Sequence, residues 1–247
     1  MRKHIDIVDP RHGCIKMGSH THIEDRCQKW RPNTNIPRHK HAEAYATIVL
    51  SGGFQECGSR GRIDAQAGDV LLHGAFDAHL DRIFVVGAEI LNLKIPGLGA
   101  IAYEIGKISD ADQIAKAAET DPACAVELLL EMMTPKSNAP HDWPDLLAAD
   151  LIDDPNRRLD DWAESHGLSS ETLSRGFGRV FGVTPAVFRS EVRSRKAFEQ
   201  IVEGTSVLGK ALEVSGFDDP AHLSRAIRSL TGATPKSWLL KAAFKSE

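Results

Sequence analysis

The spacing of apolar and polar positions changes character along the chain. Up to about residue 95, apolar residues come in short runs broken by glycine. Thr47-Ile48-Val49-Leu50 precedes Ser51-Gly52-Gly53, Val70-Leu71-Leu72 follows Gly68-Asp69, and Ile83-Phe84-Val85-Val86 precedes Gly87. Short runs between turn residues predict the strands of an all-β sandwich or barrel. Over residues 110–133 the spacing becomes helical, with Ile114, Ala117 and Ala118, then Val126, Leu129, Leu130 and Met133. Pro122 divides that stretch into two helices. The segment Thr134-Pro135-Lys136-Ser137-Asn138-Ala139-Pro140 holds two prolines among polar residues and predicts a linker.

From Trp143 onward every apolar stripe is helical. Pro144 suits a first turn, Leu146, Leu147, Leu151 and Ile152 form a stripe, and Pro155 ends it. Further helices are predicted over Leu159–Ser165, Ser170–Phe181 with Ser169 as N-cap, Pro185 to about Glu203, Ser206–Val214, about Asp219 to Leu230, and from Pro235. Two stretches about 50 residues apart share one template. The first runs His166-Gly167-Leu168-Ser169, Leu173, Arg175, Phe177, Phe181-Gly182-Val183-Thr184-Pro185. The second runs Ser215-Gly216-Phe217-Asp218, Leu223, Arg225, Ile227, Leu230-Thr231-Gly232-Ala233-Thr234-Pro235. Each reads as a helix, a glycine turn, a second helix and a Gly-x-Thr-Pro stop, a helix-turn-helix written twice.

In the first copy Leu173, Phe177, Val180 and Phe181 share the buried face, leaving Ser170, Glu171, Thr172, Ser174, Arg175 and Arg179 elsewhere. In the second, Leu223, Ile227 and Leu230 are buried, and Ala221, His222, Arg225 and Arg228 face outward. This arrangement points to double-stranded DNA, with the N-terminal residues of each second helix on base edges and later basic residues on phosphates. Thr172, Arg175, His222 and Arg225 are the candidate base readers, and Arg179 the candidate phosphate contact. Arg175 and Arg225 have a plainer alternative, pairing with a nearby carboxylate to hold the helices together.

At 247 residues, 42% hydrophobic and 26% charged, the chain has room for two ordinary globular domains. Its net charge of −4 argues against a nucleic-acid partner until it is divided: residues 1–154 carry −7 and residues 155–247 carry +3. A few placed arginines suffice for phosphate contacts. No apolar run approaches the roughly 18 residues of a membrane helix. The start, Met1-Arg2-Lys3-His4-Ile5-Asp6, lacks a signal-peptide core, so a cytoplasmic location without a membrane partner is expected. Cys14, Cys27, Cys57 and Cys124 are irregularly spaced with no Cys-x-x-Cys pair, which reads as reduced thiols.

His39-Lys40-His41 places two imidazoles on one side of a predicted strand, where both can meet a third from a neighbouring strand; His73, closing Gly68-Asp69-Val70-Leu71-Leu72-His73, and then His79 follow later in the chain. Three readings stand: a divalent metal site, a pocket for an organic effector without metal, and structural histidines. His20 and His22 repeat the spacing near Cys14 and Cys27, and read as loop residues.

From about Trp143 to Phe244 the chain resembles the DNA-binding domain of the AraC/XylS family of bacterial transcription regulators. The resemblance is carried by Leu159, Trp162-Ala163, Gly167-Leu168-Ser169, Leu173, Arg175, Phe177, Gly182, Thr184-Pro185, Arg193, Ala197, Gly216-Phe217-Asp218, His222-Leu223-Ser224-Arg225, Gly232 and Thr234-Pro235. It departs at Ile227, where an aromatic is usual, at Lys210-Ala211-Leu212, and at Asp219-Pro220-Ala221, which replaces a more polar opening. The second unit is therefore expected to be less sequence-selective. The N-terminal part resembles the cupin barrel common as a sensor in that family. By this resemblance His39, His41 and His79 fall on metal-ligand positions, and Tyr45 stands where a carboxylate is usual, with Glu43 offset from it. The departure argues against catalysis.

The expected architecture is α+β and multidomain: a cupin-like β-barrel sensor over 1–109, a helical segment over 110–133 that packs on the barrel and offers a homodimer surface, a linker over 134–142, and an all-α DNA-binding domain over 143–247. The expected function is a sequence-specific transcription regulator controlled by a small-molecule effector in the barrel, with RNA polymerase a further partner the family implies. Activation and repression both stay open. The alternatives are a metal-dependent cupin enzyme with a helical appendage, and a DNA-binding regulator with an inert barrel.

Overall fold

The computed structural model describes residues 6–7, 26–96, 105–203 and 208–243. The pair His20 and His22, with Cys14, lies outside them. The chain divides into two compact units, one built mainly from residues up to Ala139 and one mainly from Pro140 onward.

The first unit is a sheet with two helices. Its described strands are β1 (Asp6–Ile7), β2 (Arg26–Trp30), β3 (Asn35–Lys40), β4 (Tyr45–Gly58), β5 (Gly61–Gln66), β6 (Asp69–His73), β7 (Ala78–Lys94), β8 (Ile105–Lys107) and β9 (Thr134–Pro135). They pair in the order β1-β2-β7-β4-β6-β8-β9, with β3 also on β7 and β5 also on β4. Among the described residues this path does not close on itself.

Gly52, Gly53 and Gly87 read as strand-ending turns in the sequence, yet β4 and β7 run through them. The pairing of β4 with β7 shifts register between Val49 and Ser51 and again between Gly52 and Phe54, with Gly52 opposite Ala88. Gly52 and Gly87 both adopt left-handed backbone, φ 68° and 73°. Such bulges bend a strand without ending it. Each long strand therefore contributes to two layers.

Alternation then sorts the side chains. Ala46, Ile48, Val70, Leu72, Leu91 and Leu93 share a buried cluster with Ile114, Ala125, Val126 and Leu129. Those last four come from α1 (Ala111–Thr120) and α2 (Pro122–Met132), the two helices expected around Pro122. Leu130 is exposed. On the other face Val49, Leu71 and Ile90 join Phe54, Ile63, Ile83 and Ala88 between the folded layers. Thr134-Pro135, read as linker, instead pairs with β8. A proline is tolerated there because it lies at a sheet edge, where its missing N–H breaks no ladder. Lys136 follows with its Nζ 2.6 Å from Asp69 Oδ2.

Cys27, Cys57 and Cys124 are free thiols. Burial pushes the Cys57 thiol up to about 12, whereas Cys124 is exposed. The thiolate is the nucleophile, so a raised pKa means almost none at neutral pH. Alkylation of the native protein at pH 8, followed by peptide mass spectrometry, is expected to mark Cys124 and spare Cys57. Rapid modification of Cys57 without denaturant would contradict this.

The second unit is helical: α3 (Trp143–Asp153), α4 (Leu159–Ser165), α5 (Ser170–Phe181), α6 (Pro185–Val202), α7 (Leu208–Ser215), α8 (Pro220–Thr231) and α9 (Pro235–Ala243). The long α6 packs against α3, α5, α7, α8 and α9. Phe177, Phe181 and Phe188 meet with ring centroids 4.5–5.4 Å apart, and Phe198 lies edge-on to Trp238 at 5.0 Å. Arg193 ties α6 to the loop after α3 by donating to Pro155 O at 3.1 Å and to Asn156. No described helix is long and apolar enough to cross a membrane.

Candidate functional site

The duplicated template folds as two matched pairs, α4–α5 and α7–α8. Ser169 Oγ caps α5 by accepting from the Thr172 N–H at 3.1 Å. Asp219 caps α8 by accepting from the N–H groups of Ala221 and His222 at 2.9 and 3.2 Å. Both helices end on a left-handed glycine, Gly182 (φ 73°) and Gly232 (φ 78°). Glycine adopts this conformation without a Cβ penalty and so stops each helix at the same point. Leu173, Phe177 and Phe181 of α5 are buried, as are Leu223, Ile227 and Leu230 of α8; Val180 is half-buried.

Opposite those faces, Ser170, Thr172, Arg175 and Arg179 are exposed and Ser174 is half-buried; Ala221, His222, Arg225 and Arg228 are exposed. Several are already engaged. Ser170 Oγ donates to Asp160 Oδ1 at 3.1 Å, and Ser169 Oγ donates to Thr172 Oγ1 at 2.9 Å. The His222 ring meets Phe217 edge-on at 4.9 Å. Arg175 lies 3.3 Å from Glu171, one turn back on its own helix, and Arg225 lies 3.9 Å from its own capping Asp219. Neither pair joins two helices. All four side chains are more than half exposed, and exposed pairs of this kind contribute roughly 0.3–0.5 kcal/mol. A phosphate or a base edge can therefore compete for either guanidinium.

The second constellation lies inside the first unit. Between the two layers, the interior that is apolar around Phe54, Ile63 and Ile90 turns polar at its other end. There β3 brings His39, which pairs with His79 of β7, and Tyr45 of β4 pairs with His73 of β6. Tyr45 Oη lies 3.2 Å from His79 Nε2, and the Tyr45 ring stacks on His73 at 4.4 Å and 13°. His73 Nε2 lies 3.5 Å from Glu56 Oε2, both residues being almost fully buried. Donor atoms of His39, His41 and His79 lie within 4.8 Å of one another, and so do those of Glu56, His73 and His79. His39 Nδ1 donates to Pro37 O at 3.0 Å, which leaves Nε2 as its lone-pair nitrogen.

Charge in this cluster is set by burial. Desolvation holds His79 well below its usual range, helped by His39 and His73. It holds Tyr45 well above the usual phenol range, with Glu56 and Asp81 adding to the rise. Asp81, which pairs with Glu56 across the strands, is raised by the same desolvation. Tyr45 therefore stays a neutral phenol bonded to His79. The three imidazoles His39, His41 and His79 fit a divalent ion, but Tyr45 does not replace the carboxylate expected at its position.

Residues 162–241 match the helix-turn-helix domain family. The C-terminal unit therefore contains a helix-turn-helix domain. The helix-turn-helix is a DNA-binding motif. No curated protein matches the chain. Among solved structures, ToxT from Vibrio cholerae (an apo variant) is 10% identical over 89% of this chain and 98% of that one, TM-score 0.39. A probable AraC family transcriptional regulator from Rhodopseudomonas palustris is 23% identical over 39% of this chain and 93% of its own, TM-score 0.36. An oxalate decarboxylase from B. subtilis is 14% identical over 60% of this chain and 29% of its own, TM-score 0.26.

Beside the helix-turn-helix domain, the histidine cluster has members that sequence reasoning did not select. His39 and His41 were legible from spacing, His79 and Tyr45 from the cupin resemblance, and the four side chains come together. Glu56 and His73 were not selected. His73 ends an apolar run that reads as plain strand, and Glu56 lies beyond the glycines that read as a turn. Glu43, the offset carboxylate, instead pairs with Lys94 at 3.7 Å.

Proposed function

We propose that α5 and α8 lie in successive major grooves of a duplex, and that a small molecule bound at the polar end of the folded sheet changes how the helix-turn-helix domain engages DNA. The observation that carries the first half is the duplicated helix, capped by a side chain at its start and stopped by a left-handed glycine in both copies, with Arg175 and Arg225 exposed and in weak ion pairs. Thr172 and Arg175 then read bases from α5, with Ser170 and Ser174 beside them, and Arg179 meets phosphate. His222 and Arg225 read from α8, with Arg228 on phosphate. Ala221 offers only a methyl group, so the α8 half-site is the less selective one. The second half rests on the cluster of His73, His79, Tyr45 and Glu56 buried within the first unit, with half-buried His39 and His41 at its more accessible side.

Selection of random duplexes by the purified protein, followed by sequencing, tests the first half. A bipartite motif with halves about 10–11 base pairs apart is expected. Arg175→Ala is then expected to cost roughly 1–3 kcal/mol and to relax selectivity in one half only. Arg228→Ala should weaken all sequences alike and flatten the salt dependence by about one counterion. Uniform loss on Arg175→Ala would remove it from the base readers. For the second half, an effector must have different affinities for two states of the protein, so it must shift both melting temperature and DNA affinity. A compound that raises the melting temperature and leaves DNA affinity unchanged would break the coupling.

A further inference from the structure

The family-like position offers three imidazoles and no carboxylate, because Tyr45 fills the carboxylate's place. A carboxylate nevertheless reaches the cluster from elsewhere. The bend in β4 brings Glu56, eleven residues after Tyr45, against His73 and His79. These three residues are 2%, 1% and 3% exposed. Carboxylate and imidazole donors are the set that borderline divalent ions such as zinc take.

The geometry is near that of a bound ion. Metal–ligand bonds of about 2.1 Å in a tetrahedron put donor atoms about 3.4 Å apart. His73 Nε2 and Glu56 Oε2 are 3.5 Å apart, and all three donors lie within 4.8 Å. Nδ1 of His79 is buried and has no hydrogen-bond partner among the described residues. Glu56 also faces Asp81 across the strand pair, so two buried carboxylates neighbour each other. Burying such groups is costly unless positive charge offsets them. Tyr45 complements this arrangement, since its ring stacks on His73 and its hydroxyl holds His79 Nε2. Partners that orient ligating imidazoles in this way are a regular feature of metal sites.

We propose that a divalent metal ion binds at Glu56, His73 and His79, displaced from the His39–His41 position, with Tyr45 as the residue that orients the two imidazoles. The site belongs to the first unit and does not depend on how the protein reads DNA. Zinc is the ion the donor set suits, and cobalt(II) is its spectroscopic probe.

The test uses the full chain, stripped with a chelator, desalted, and titrated with zinc or cobalt(II). The wild type should retain one equivalent after desalting and melt at a higher temperature with zinc than without. Glu56→Gln and His73→Gln should each weaken binding by at least about tenfold, since even the loss of an orienting partner costs that much. The double variant His39→Ala/His41→Ala should still hold one equivalent. Glu56→Cys guards against a merely structural effect. A thiolate ligand adds an intense near-ultraviolet sulfur-to-cobalt band, which appears only if residue 56 touches the ion. Three results would overturn the proposal: no retained metal in the wild type, retention in Glu56→Gln and His73→Gln with loss in the His39/His41 double variant, or cobalt bound to Glu56→Cys without the thiolate band.

Discussion

Gly52→Ala is expected to unfold the first unit while the helix-turn-helix domain keeps its fold. A Cβ at residue 52 would sit 2.0 Å from the Gly87 carbonyl oxygen and 2.9 Å from its carbon. Both are backbone atoms of the paired strand, so no rotamer change relieves the contact. The left-handed conformation at Gly52 (φ 68°) adds roughly 1–2 kcal/mol for any residue with a Cβ. Together these should exceed about 3 kcal/mol, a large share of the 5–15 kcal/mol that holds an ordinary domain together. Hydrogen exchange resolved by peptide mass spectrometry reads the result region by region. Amides of β4, β6 and β7 should lose protection, and those of α5 and α6 should keep it. Wild-type protection across β4 would show that the bend does not depend on glycine. The same variant should lose its retained zinc, because the bend is what brings Glu56 to the histidines.

The second large effect is expected from Phe177→Ala. Phe177 is fully buried in α5 and meets both Phe181 and Phe188. Truncating a buried phenylalanine to alanine costs about 3–5 kcal/mol through lost transfer energy and the cavity left behind. The helix that presents Thr172 and Arg175 then loses the anchor that aims it, so sequence-specific DNA binding should disappear at temperatures where the first unit is still folded. Denaturant unfolding of the helical unit, set beside DNA affinity, separates this from Arg175→Ala. The arginine variant is exposed and should alter affinity with little change in stability. Equal midpoints for Phe177→Ala and wild type would show that α5 is held by other contacts.

The helical half was legible almost residue by residue. Ser169 caps its helix as expected, Thr184 and Asp219 cap the helices expected to open at Pro185 and about Asp219, and Gly182 and Gly232 stop α5 and α8. Capping and 3.6-residue periodicity act over a few neighbours, so a linear reading has access to them. The same reading misjudged the first unit at its glycines. Ser51-Gly52-Gly53 carries every local sign of a turn, and only the opposing strand with Gly87 makes it a bend inside one long strand. The edge pairing of Thr134-Pro135 with β8 was hidden for the same reason, since strand pairing is a long-range choice.

The amino-acid sequence alone determined that the chain carries two copies of a helix-turn-helix template, which residues those helices expose, and that His39 and His41 face the same way. Each of these follows from spacing within an element. Tertiary structure alone decided that Tyr45 would be locked between His73 and His79, and that Glu56 would be the carboxylate to join them. Those contacts join residues 17 to 34 positions apart in the chain. They exist only because two opposed glycines let β4 fold across β7, and no local preference of Glu56 or His73 encodes that crossing.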